Sequence, residues 1–559
     1  MGRIFKEFND EKWAQVREHE FYAPWRKAVL EKAEAYLSTE PPRVKFSIMH
    51  EYETTGNRTH FERIYNDYGA RLHNFYNAYL LTLDEKYLEP LADIIWNICN
   101  FESWSIPAHV REYLTVEQRR QNLDLTSTLL GFQLSEILYF IGDKLPELVV
   151  RRAKAEIRYR IIDSYRDSDA KRFWWINSTN NWSAVCICGV LGTYLYSCEK
   201  HEIDAQIPRM IHSANRYLEG FAEDGCCLEG YGYWNYGFSY FCIFADMLCE
   251  YTDGKINMFE IPKVQRIAHF QESIPLNERE CVSFSDCGHI FQPMTWLSHY
   301  LKGVYPDLRI PKLTCHANPT SDLRSVLWMD PAKAVSSLNA TEPVTFTFDD
   351  AQWFIYRSEN YSFACKAGSN NEPHNHNDIG SFLISKDGFT FTDPGGGEYT
   401  RQYFSGERYT IMLCSSRGHS VPIINGEYQV TGNRKSKVLV NEKDRYAFTM
   451  QNGYNFESLE SLTRDFKMSE SSITMTDSYA FTEKPESVTE RFVSFLPFEL
   501  EEGIVKCGAS TLEYDATLFD ATMGSEDVSL SGGKPGTVYF VDLAVKSPEK
   551  NMTFTFTFA

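Results

Sequence analysis

The feature that most limits what this chain can fold into is a change of hydrophobic period along its length. Up to about residue 300, apolar side chains recur at helical spacing. Leu72, Phe75 and Tyr79 share one face, as do Leu129, Phe132, Leu134 and Ile137, and again Phe238, Phe241, Phe244 and Met247. Prolines then gather around Ile310 to Thr345 (Pro306, Pro311, Pro319, Pro331 and Pro343), where a helix could not continue. Beyond them the period becomes two. Segments 344–348, 448–451, 472–479 and 552–558 alternate, and they are rich in β-branched and aromatic residues. The expected fold is therefore α+β and multidomain. Residues 1–330 should form antiparallel helices stacked side by side, and residues 331–559 an antiparallel sheet-on-sheet sandwich. A chain of 559 residues is too long for a single core, which agrees with this division.

Composition excludes several classes. A formal net charge of −20 argues against a nucleic-acid partner, which usually meets a basic surface. No uninterrupted apolar run of about 18 residues occurs, so no membrane-spanning helix is expected. The N-terminal segment MGRIFKEFNDEKWAQVREHEF is charged and has no apolar h-region. The expected location is cytoplasmic, or periplasmic or secreted if a leader was removed. The 14 cysteines include no CxxC pair, so they read as reduced, buried thiols and not as a zinc ribbon. The 38 Phe, 33 Tyr and 11 Trp are core material, and they are also platforms on which sugar rings stack. An anionic ligand would need a locally basic site to offset the global field.

Three segments carry candidate chemistry. The first is CKAGSNNEPHNHNDIGSFLISKDGFTFTDPGGGEYT, residues 365–400. On an extended strand His374 and His376 would share a face. Asp393 stands just before Pro394, and His419 follows in RGHSV. Two histidines and a carboxylate suit zinc, with room for water or a fourth ligand. A cupin site would need a Glu three or four residues after the second His, where Ile379 and Gly380 stand. Arg401, Arg408 and Arg417 lie nearby, either as partners for sulfate or as surface charges. The second segment is DGCCLEGYGYWNYG, residues 224–237. It reads as a glycine-rich loop entering a helix, with Tyr231, Tyr233, Trp234 and Tyr236 either displayed or gathered in a buried cluster. Asp224 and Glu229 there make only a weak case for a hydrolase pair. The third is NSTNNWSAV, residues 177–185, where Asn177, Asn180 and Asn181 are more asparagines than one helix cap requires.

Taken together, these segments resemble the heparinase II/III-like superfamily of polysaccharide lyases. NNWSAV is similar to its asparagine segment, DGCCLEGYGYWNYG to its tyrosine segment, and HNHNDIGSF through DPGGGEYT and GHSVPIING to the opening of its β domain. ESWSIPAH (102–109) resembles its helical part, so the likeness runs over about residues 90 to 430. The resemblance implies an incomplete (α/α) toroid followed by an antiparallel β-sandwich, with the active site in the cleft between them. It implies β-elimination on a uronic-acid glycan such as heparan sulfate, chondroitin or hyaluronan, leaving 4,5-unsaturated uronate ends. Asn181 would neutralise the uronate carboxylate. Tyr233, or in second place Tyr236, would be the acid to the leaving oxygen, and His374 a second catalytic or carboxylate-binding group. Asn180, Trp182, Glu229, Trp234 and Arg417 would bind substrate. A divalent metal, zinc or else manganese, would sit on His376, Asp393 and His419 in a mainly structural role. Several relatives carry a His where Trp182 stands, which shifts the base to a tyrosine or His374. Alternatives are an alginate or oligoalginate lyase and a catalytically silent carbohydrate-binding protein. A cytoplasmic enzyme would meet oligosaccharides and act in exo mode, and a homodimer is allowed for.

Overall fold

The computed structural model describes residues 9–168, 171–315 and 323–559. The first eight residues of the N-terminal segment and Pro319 lie outside them. The chain forms two compact units. One is drawn from Met1–Gly220, Asn235–Gln265 and Pro293–Ser337, the other from Phe221–Trp234, Arg266–Gln292 and Leu338–Ala559. Among the described residues no helix is long and apolar enough to cross a membrane.

The first unit is helical. Its main helices are α1 (Ala23–Leu37), α2 (Thr59–Thr82), α3 (Leu88–Cys99), α4 (Leu125–Ile141), α5 (Glu147–Ile157), α6 (Asn181–Ser197), α7 (Lys200–Glu219) and α8 (Ser239–Tyr251). Neighbours pack in succession: α1 on α2, α2 on α3, α3 on α5, α5 on α4, and α4 on α6, which also touches α7 and α8. Helix α6 is central, and every residue from Ser183 to Leu195 is buried. Its glycines permit this. A Cβ at Gly189 would lie 2.5 Å from the Thr128 backbone, and one at Gly192 would lie 2.4 Å from the Phe132 ring. Helices α4 and α6 therefore meet at backbone distance, which fixes the position of the α6 N-terminus.

The second unit holds three antiparallel sheets. Strands Val344–Phe348, Trp353–Arg357, Ser362–Lys366, Phe382–Ser385 and Phe389–Phe391 form a five-stranded meander. An eight-stranded sheet is built around Leu459–Met468, Ile473–Phe481 and Asn551–Phe558, and a four-stranded sheet around Val488–Ser494 and Lys534–Val545. Ile473–Phe481 alternates buried and half-buried residues along its whole length, the mark of a strand with one face on a core. That core is shared between sheets: Phe354, Phe363 and Phe382 of the meander pack with Tyr446, Phe466, Phe492 and Phe556. Segments 221–234 and 266–292, which read as part of the helical region, belong with the sheets.

Two buried cations tie down the loops of this unit. The Arg464 side chain is closed to solvent. It bonds both carboxylate oxygens of Asp477 and donates Nη1 to Gly380 O at 2.8 Å and Ser420 O at 2.7 Å. Lys366 Nζ, equally buried, reaches Asp378 Oδ1 at 2.8 Å and Glu372 Oε2 at 3.1 Å. Breaking a buried pair leaves an uncompensated charge, at about 3–5 kcal/mol. Arg464→Met should therefore lower stability by about 3–5 kcal/mol on chemical denaturation. A loss under 1 kcal/mol would mean that these loops are held by something else.

Candidate functional site

In the second unit the described side chains converge on one carboxylate that the sequence reading did not single out. The Asp286 side chain is closed to solvent and accepts five hydrogen bonds. They come from His374 Nδ1 (2.6 Å), His376 Nε2 (3.0 Å), Tyr399 OH (3.1 Å), Arg408 Nη2 (2.9 Å) and Tyr403 OH. Burial opposes its ionisation, but bonds from His374 and His376 and the Arg408 cation hold the carboxyl well below the usual range. The chain reaches this geometry through strain and close approach. Ser285 and His374 both adopt left-handed backbone, at φ +65 and +53. Gly395, at φ +68, passes so near residue 287 that a Cβ would lie 2.3 Å from Cys287 O.

His374 and His376 therefore do not share a strand face. Their segment is a loop between strands, and the two rings meet because they grip opposite oxygens of Asp286. The Tyr233 ring stacks on His374 at 4.4 Å, and its hydroxyl bonds that of Tyr399. Burial, and then the charge of Asp286, push the Tyr233 phenol well above its ordinary pKa, so it stays protonated at neutral pH. His374 Nε2 lies 4.0 Å from Glu229 Oε2. Trp234 corrects the substrate-binding expectation. It is fully buried, donates Nε1 to Ile267 O at 2.7 Å and stacks on Tyr231, because the i, i+3 spacing turns both rings inward. Arg417 pairs with Glu526 at 2.9 Å, and Arg408 is bonded to Asp286.

Beside this network lies a buried group that could hold a metal. His376, Asp378, Asp393 and His419 offer one ligand atom each, all within 4.8 Å of one another. The chemistry of the donors fits a divalent cation. His376 Nδ1, Asp378 Oδ2, Asp393 Oδ2 and His419 Nδ1 are closed to solvent and make no hydrogen bond, although His419 Nδ1 and Asp393 Oδ2 are 3.0 Å apart. The remote ring nitrogens are used: His376 Nε2 by Asp286 and His419 Nε2 by Leu413 O at 3.1 Å. Such bonds orient imidazole ligands with Nδ1 facing the cation. Asp378 joins the expected set of His376, Asp393 and His419 as a fourth member.

The remaining candidates lie in the helical unit. Asn180 is the N-cap of α6 and its Oδ1 accepts from Trp182 N at 3.1 Å. Asn181 opens the helix and is buried. Trp182 meets His109 edge-on at 4.6 Å and the exposed Trp174 at 4.9 Å. His109 Nδ1 in turn lies 2.8 Å from the buried Asp124. Burial, then Cys186 and Asp124, push the Tyr236 phenol up. Tyr233 and Tyr236 thus fall in different units, three residues apart in the chain.

No family model matches the chain, and no curated protein matches it. Solved structures do. Heparinase III aligns over 98% of this chain and 91% of its own, with TM-score 0.60 and 12% identity. A heparan sulfate lyase from Pedobacter heparinus aligns over 98% and 92%, with TM-score 0.59 and 12% identity. Chondroitin AC lyase from Streptomyces coelicolor A3 aligns over 98% and 81%, with TM-score 0.54 and 10% identity. The chain has the fold of heparinase-like polysaccharide lyases, a helical N-terminal domain followed by antiparallel sheets.

Two outcomes follow for the sheet unit. Asp286→Asn should cost about 3–5 kcal/mol of stability, because it strands the Arg408 cation in a dry site; unchanged denaturation would remove Asp286 as the organising group. Added Zn²⁺ or Mn²⁺ should raise the melting temperature of the wild type and leave that of His376→Ala/His419→Ala unmoved. An equal rise in both would place any bound metal elsewhere.

Proposed function

We propose that this protein is a polysaccharide lyase that cleaves a uronic-acid-containing glycosaminoglycan by β-elimination. The observation that carries the reading is the stack of Tyr233 on His374, with Asp286 anchoring the histidine directly and the tyrosine through Tyr399. The fold, shared with solved structures of a heparan sulfate lyase and a chondroitin AC lyase, supports it at a coarser level.

Elimination removes the proton on C5 of the uronate, forms the C4–C5 double bond and breaks the bond from C4 to the leaving oxygen, which must gain a proton. Asp286 occupies His374 Nδ1, which leaves Nε2 as the nitrogen able to take the C5 proton. Tyr233, held protonated, supplies the proton to the leaving oxygen. This division suits a chain in which Trp182 stands where relatives carry a histidine. Asn181 keeps the role that the resemblance implies, donating its amide to the uronate carboxylate so that C5–H becomes more acidic. A divalent cation, zinc first and manganese second, would be held by His376, Asp378, Asp393 and His419. Bound there it would brace the loops that present His374.

The test is near-ultraviolet absorbance of the unsaturated uronate, followed with heparan sulfate, chondroitin, hyaluronan and alginate. Absorbance should rise with a glycosaminoglycan. Tyr233→Phe and His374→Ala should each lower kcat by roughly 10²–10⁴, the usual worth of a general acid or base. A rise with alginate alone would move the substrate to the alginate class. Full activity in both variants would overturn the assignment, and no rise with any glycan would leave a carbohydrate-binding protein.

A further inference from the structure

The helical unit holds a half-open cavity of about 220 Å³ whose wall includes Tyr236. Tyr65, Tyr68, Phe101, Phe132 and Tyr240 supply further aromatic surface, and Asn66, His73, Gln133 and Glu136 supply polar groups. Aromatic faces set beside a few amide and carboxyl groups suit a sugar ring, whose C–H faces stack while its hydroxyls bond.

Gly69 supports the same reading. It sits inside the 24-residue helix α2, where glycine is a poor choice. Glycines inside two other long helices are forced by neighbours: a Cβ at Gly131 would lie 2.7 Å from Ile161, and one at Gly192 would strike Phe132. At Gly69 nothing lies within 4 Å of where a Cβ would be, and the residue lines the cavity. Packing therefore does not demand glycine there. What its missing side chain preserves is the open space.

The charge of the lining narrows the ligand. No lysine or arginine is among the lining residues. Burial takes the His73 imidazole down to about 4, so it is neutral at physiological pH. Sulfate esters are held by arginine or lysine, and here one would meet the Glu136 carboxyl group instead. We infer that this cavity is a subsite for an uncharged, unsulfated sugar residue of the glycan. The inference rests on the lyase reading and narrows its substrate class to unsulfated chains with alternating uronate and neutral sugar.

Titration calorimetry of the full-length protein tests it, with tetrasaccharides of chondroitin and heparosan in unsulfated and 6-O-sulfated forms. The unsulfated forms should bind at least ten-fold more tightly than their sulfated counterparts. Alginate tetrasaccharide, with no uncharged residue, should bind as weakly as the sulfated forms. Gly69→Leu, whose Cβ meets nothing within 4 Å, should lose at least ten-fold in affinity for the unsulfated forms and keep the melting temperature. If that variant is unstable, Gly69→Ala gives a smaller plug with the same expected direction. Sulfated forms binding equally well, or affinity undiminished by the plug, would overturn the subsite while elimination by the wild type would keep the lyase reading. Unsulfated binding that the plug abolishes, with no elimination, would keep the subsite and remove the lyase. Binding of neither form would overturn the subsite.

Discussion

Asp286 takes hydrogen bonds from two imidazoles, two phenols and a guanidinium while its side chain is closed to water. An isolated carboxylate could not be held there, since a desolvated charge costs several kcal/mol unless it is paired and bonded. Arg408 supplies the countercharge, and the other four donors are shared between the two oxygens. The dependence runs both ways. His374 is set by Asp286, and Tyr233 by its contacts with His374 and Tyr399. The strained backbone at Ser285 and His374 persists because so many contacts over-determine it.

The same unit repeats this device at longer range. Lys366 holds Asp378, and Arg464 grips the carbonyls of Gly380 and Ser420, the residues flanking the loop of His376 and the turn of His419. The candidate metal ligands are therefore delivered by loops whose ends are tied to buried cations. The orphaned ligand atoms then read as places reserved for a cation, because the buried cations nearby, Lys366 and Arg464, are already paired.

Much of the architecture was legible because periodicity reports burial directly. Ile473–Phe481 alternates in sequence and in burial, and α6 is apolar on all faces because it is buried on all faces. Residue type and spacing marked the stretch of His374, His376, Asp393 and His419, and the family resemblance narrowed it to His376, Asp393 and His419. Asp286 was not. It lies 88 residues before His374 in a stretch without helical or strand pattern, and only tertiary structure joins them. Asp378 was hidden by standing beside the histidines it joins. Trp234 was read as a ligand group because chain position cannot tell an inward-turned ring from one facing substrate.

The central claim is that these side chains drive an elimination and not a hydrolysis. The most direct test is mass spectrometry of the two fragments cut from an unsulfated uronate hexasaccharide of defined mass. Elimination adds nothing from solvent, so the account predicts fragment masses that sum to that of the intact chain. Fragments that together exceed it by one water would show hydrolysis and contradict the account.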